Sequence, residues 1–73
     1  MITINFKDEM GFSTPQNEIY FAGREILTEE GAKFVSDHTD KGGSITIYNK
    51  IMNKTFIYPI KEVESIVIEG VHK

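Results

Sequence analysis

Ile2, Ile4 and Phe6 alternate with Thr3, Asn5 and Lys7 at the start of the chain, the period-2 pattern of a strand with one buried face. From Lys7 to Asn17 the pattern stops, and Gly11, Pro15 and the polar residues around them predict a loop that Met10 and Phe12 would pin down. Glu18 to Ala22, rich in β-branched and aromatic types, predicts a second strand, with a possible extension through Gly23 to Leu27 and Gly23 marking a bulge or an end. Ser44 to Asn49 predicts a strand with Ile45 and Ile47 on one face and Thr46 and Tyr48 on the other. Thr55 to Tyr58 is its antiparallel partner, ended or held at a sheet edge by Pro59, which has no N–H for a ladder. Lys61 to Glu64 reads as a short polar crossing, Ser65 to Glu69 as a last strand and Gly70 to Lys73 as a frayed tail.

Two segments have two readings each. Thr28 to His38 forms a helix if Thr28 caps it, Glu29 and Glu30 occupy the first turn, and Leu27, Gly31, Phe34, Val35 and His38 share a face. It forms a hairpin if Glu29-Glu30-Gly31 is a turn. The helix is favoured because capping and periodicity agree, whereas the hairpin rests on one glycine. In the connection Asn49 to Lys54, long strands would place Ile51 and Met52 in the sheet and a tight turn at Asn53-Lys54; short strands would display both on a hairpin tip.

The order is strand, strand, helix and three strands in one domain, residues 1–73, since two separate cores would each be too small to fold. The expected class is α+β and β-rich: a small bent antiparallel sheet or a five-stranded barrel, with one short helix. The close of the chain, Tyr58-Pro59-Ile60-Lys61-Glu62-Val63-Glu64-Ser65-Ile66-Val67-Ile68, resembles the last two strands of an SH3-like or Sm-like barrel and the short helical turn that joins them. The resemblance covers about a dozen residues and implies topology; no RNA-contact motif of those families accompanies it.

Composition sharpens this picture in three ways. Apolar residues at 40% and charged ones at 26% are ordinary for a folded chain. The absence of cysteine excludes disulfides and thiolate metal sites, and fits a reducing compartment. A domain of this size is short of core, so a homo-oligomer or a well-idealised core is expected. With neither a signal peptide nor a long apolar run, a cytoplasmic protein without membrane attachment is expected. Charge is uneven: residues 1–40 hold eight acids against three bases and residues 41–73 three against five, within a net charge of −3. That balance disfavours strong non-specific binding of nucleic acid.

Candidate chemistry is sparse. Asp37, His38 and Asp40 are close in sequence but supply no convergent metal set, His72 lies beside the C-terminus, and Asn53-Lys54-Thr55 matches a glycosylation triplet without a secretory context. Lys41-Gly42-Gly43-Ser44 leads into a strand, not the helix a phosphate loop needs, and no nucleophile has a base beside it. No enzyme activity and no cofactor are expected. The aromatic residues are more informative. Thr55 to Ile60 is apolar on both faces, so the surplus face is covered by the molecule itself or by a partner. The expected function is a non-enzymatic protein-binding module, a small accessory regulator or inhibitor of the kind phages encode, that masks a surface of a partner protein. Its binding residues would be Tyr48, Lys50, Ile51, Met52, Lys54, Phe56 and Tyr58. The alternative is an SH3-like or Sm-like barrel that stacks RNA bases or a small nucleotide on Tyr48 and Tyr58 beside Lys50 and Lys54.

Overall fold

The computed structural model describes residues 1–70; the expected tail beyond Gly70, with His72, lies outside the described residues. Strand β1 (Ile2–Phe6) buries Ile2, Ile4 and Phe6, as its alternation requires. It is the centre of a three-stranded antiparallel sheet, β2-β1-β7, with β2 at Gly11–Ser13 and β7 at Val63–Ile68. Ile4 lies opposite Phe12 on one side and Ile66 on the other.

The second antiparallel sheet runs β4-β3-β5-β6, with β3 at Asn17–Phe21, β4 at Arg24–Glu25, β5 at Ser44–Asn49 and β6 at Lys54–Pro59. Between β3 and β4, Ala22 and Gly23 both have positive φ, 55° and 77°, which is the backbone a two-residue hairpin needs. Of the two readings, bulge or end, Gly23 thus marks the end of β3, in a chain reversal. Helix α1 (Glu29–Ser36) has the predicted cap, with Thr28 Oγ1 accepting from the Gly31 N–H at 3.1 Å, and it buries Ala32 and Val35. The Glu29-Glu30-Gly31 hairpin is therefore not formed.

Two short strands were not legible in the pattern. β2 lies inside the expected loop, where Phe12 is buried and Met10 stays exposed, so only Phe12 pins the segment. β4 is two charged residues that pair because the tight turn returns them to β3. The polar crossing is a single turn of 3-10 helix, Ile60–Glu62, and β7 begins earlier than expected, at Val63.

If β2 and β3, separated by three residues, are counted as one bent strand, the pairing order is β7-β1-β2/β3-β5-β6. The two end strands of that order, β6 and β7, are joined by the 3-10 turn, as the barrel resemblance implies. They do not pair with each other, so the closed five-stranded barrel is not formed: the molecule is a pair of sheets, open between β6 and β7. Backbone bonds from Ile60 N–H to Gly43 O and from Lys7 N–H to Glu62 O, both 2.9 Å, brace the corner. The core between the sheets and under α1 is mostly isoleucine and phenylalanine. No helix is long and apolar enough to cross a membrane among the described residues.

Candidate protein-interaction surface

The β5–β6 hairpin divides its side chains between two environments. Register places Ile45 opposite Tyr58 and Ile47 opposite Phe56, and these positions face the other sheet. The Tyr58 ring stacks on Phe6 with centroids 3.8 Å apart, and its hydroxyl donates to Asp8 Oδ2 at 2.9 Å. The Phe56 ring meets Phe12 at 5.0 Å. Burial of the Tyr58 hydroxyl raises its pKa above the ordinary value, and the Asp8 hydrogen bond and charge add to the effect.

Thr55 and Ile57 point the other way. Thr55 lies opposite Tyr48, itself opposite Glu18; Ile57 lies opposite Thr46, itself opposite Tyr20. Directly paired residues share a face, so Tyr20, Thr46, Tyr48, Thr55 and Ile57 form the outer surface of this sheet. Ile57 stands 67% exposed in the middle of its strand. At one end of the surface Glu18 accepts from Tyr20 Oη at 2.8 Å and pairs with Lys50 at 3.5 Å. The hydrogen bond to Glu18 is the main reason the Tyr20 pKa is raised, with desolvation and the charges of Glu18 and Glu25 contributing less.

The connection between β5 and β6 is the short-strand form. Lys50 to Asn53 make the turn, and Ile51 and Met52 are displayed at its tip, 82% and 56% exposed. The tip is braced from within. Asn49 Oδ1 accepts from Met52 N–H at 2.8 Å, and Tyr48 Oη donates to Asn53 Oδ1 at 2.9 Å. Asn53 takes a positive φ of 55°, which asparagine tolerates better than most residues. Below the turn, the buried Asn17 accepts from Asn49 Nδ2 at 3.0 Å and donates to the Ser13 carbonyl at 2.9 Å. These bonds tie the hairpin to the other sheet.

Of the residues expected to bind, Tyr48, Lys50, Ile51, Met52 and Lys54 are brought together around the hairpin end. Phe56 and Tyr58, on the side of β6 away from Thr55 and Ile57, pack against the core. Ile57, Thr46 and Tyr20 join the surface instead. The signal for Ile57 was the alternation within Thr55 to Ile60. Alternation divides a strand into two faces but does not say which one faces the core. Elsewhere, His38 is structural: Nδ1 donates to the Phe34 carbonyl at 2.8 Å, and the ring packs on Phe34 and Phe21. Among the described residues no three His, Asp or Glu side chains converge as metal ligands. The chain matches no protein-family model, no curated protein and no solved structure, which leaves the surface itself to indicate function.

Proposed function

We propose that this protein is a non-enzymatic binding module that docks a partner protein on the β5–β6 hairpin and the adjoining outer face, masking part of that partner as a small regulator or inhibitor. One observation carries this: three large apolar side chains, Ile51, Met52 and Ile57, stand in solvent on a single hairpin that sends Ile45 and Ile47 into the core and packs Phe56 and Tyr58 against it. A monomer gains nothing from that placement, whereas an interface core does. Tyr20 and Tyr48 add amphipathic rings held by hydrogen bonds to Glu18 and Asn53, so little side-chain freedom is lost on docking. Base stacking has less support, because Tyr58 is already stacked on Phe6 and Lys50 is paired with Glu18.

The test compares immobilised wild-type protein with Ile57→Lys and Met52→Asp on the surface, and with Ser65→Asp on the polar outer face of the other sheet. Proteins retained by the wild type and Ser65→Asp should be lost with the two surface variants. Retention of the same set by all four forms, or of oligonucleotide with a steep salt dependence in place of protein, would overturn the proposal.

A further inference from the structure

The molecule carries a groove whose character is the reverse of the hairpin tip. It has a volume of about 350 Å³ and lies between the start of β1, the end of β7 and the residues entering α1. Its apolar lining includes Met1, Leu27 and Ile68, all exposed, with Leu27 at 65%. Among the described residues its rim carries two carboxylates, Glu29 and Glu69, against one cation, the Met1 ammonium, which donates to the Glu69 carbonyl. The tip instead presents apolar Ile51 and Met52 between Lys50 and Lys54, and Lys54 makes no ion pair among the described residues.

Groove and tip lie at the same end of the molecule. Asn49, at the base of the tip, is bonded to Asn17, and Asn17 to the Ser13 carbonyl. The next residue, Thr14, exchanges bonds with Ile2, its Oγ1 accepting from the Ile2 N–H and its own N–H donating to the Ile2 carbonyl. Ile2 is a lining residue of the groove. A protein with a projection and a matching recess at one end can pair reciprocally about a two-fold axis, which makes each complementary contact twice.

We propose that two copies associate through this end, the Ile51–Met52 tip of each seated against Met1, Leu27 and Ile68 of the other, with Lys54 facing Glu29 and Glu69. The inference rests on reading the tip as a protein interface and names a second copy as its occupant. Exposed apolar side chains beside carboxylates select this groove: the one beside α1 is lined mostly by charged and polar residues, and the one beside Pro59 sets Lys61 against Asp40, whereas this one combines Met1, Leu27 and Ile68 with Glu29 and Glu69. Two contacts of this size make a weak dimer, below the standard interface class. Self-association and capture of another protein then compete for the tip.

Light scattering and sedimentation across the micromolar to millimolar range should show the wild-type mass rising from one chain towards two. Met52→Asp, which spoils the tip, and Leu27→Asp, which spoils the groove, should each stay monomeric. Both side chains are exposed, and circular dichroism checks that both variants are folded. Lys54→Glu and Glu69→Lys provide a second route without apolar change: each should weaken dimerisation several-fold, and the double variant should recover it. A wild type that is monomeric at millimolar concentration, dimers in Leu27→Asp or Met52→Asp alone, or a charge-swapped double variant that associates no better than its single variants would overturn the inference. The protein-binding proposal fails separately. Leu27→Asp leaves the hairpin untouched, so its retention of partner proteins stands or falls without reference to the dimer.

Discussion

Adjacent residues on β6 have opposite roles, and the difference is measurable at the scale of one side chain. Phe56 is half-buried against Phe12, so Phe56→Ala opens space between the sheets and should lower stability by roughly 2–4 kcal/mol in urea denaturation. Ile57 touches little, and Ile57→Lys should change stability by less than about 1 kcal/mol while abolishing partner retention. Equal losses of stability would place Ile57 in the core and remove it from the surface. Tyr58 gives a pH handle. Its pKa is raised in the folded protein, first by burial and then by the Asp8 hydrogen bond and charge. The folded state therefore holds the phenolic proton more tightly than the unfolded chain does. That contribution to stability is complete below the ordinary tyrosine pKa of about 10 and is lost as pH rises through the folded value. In a Tyr20→Phe/Tyr48→Phe background, tyrosinate absorbance should show Asp8→Asn lowering the Tyr58 pKa yet leaving it above the ordinary value, since burial is the larger cause. No change on Asp8→Asn would mean the hydrogen bond is not formed in solution.

Among the elements, α1 follows local rules closely enough to be improved by them. Gly31 sits in its first turn with ordinary contacts to Ile26: an added Cβ would lie 3.6 Å from the nearest side-chain atom. Gly31→Ala keeps the N–H that Thr28 caps and removes the entropic cost of glycine in a helix. It should raise stability by about 0.5–1 kcal/mol in thermal or urea unfolding, and a loss would show that the turn is not regular helix. This helix, β1 and β5 were legible in the sequence because one signal dominated each: a cap with a period, or a clean alternation. β2 and β4 were not, since Gly11-Phe12-Ser13 and Arg24-Glu25 pair on account of neighbours and a turn that lie outside them. The candidate site was legible to the same degree. Ile51 and Met52 could be narrowed to a tip or a sheet, and strand length, a tertiary property, decided it. Phe56 and Tyr58, expected at a binding surface with burial in the monomer as the other reading, turn inward because Phe6 and Phe12, some fifty residues earlier in the chain, draw them there.

The whole molecule depends on that same long reach. β1 and β7 pair at opposite ends of the described chain, and Met1 and Glu69 are bonded through both backbone directions, Glu69 N–H to Met1 O at 2.8 Å and the Met1 ammonium to Glu69 O. The two ends of the described chain are therefore adjacent. Joining residue 73 to Met1 and opening the chain between Ile51 and Met52 would keep every strand pair and cut only the tip. Such circular permutation is tolerated where termini are close and the new ends are exposed. The permutant should give a cooperative unfolding transition and near-native circular dichroism. It should lose partner retention, since Ile51 and Met52 are no longer held by the Asn49 and Asn53 bonds across the turn. Retained binding would locate function on another surface. A failure to fold would show instead that the tip turn is part of what holds β5 to β6.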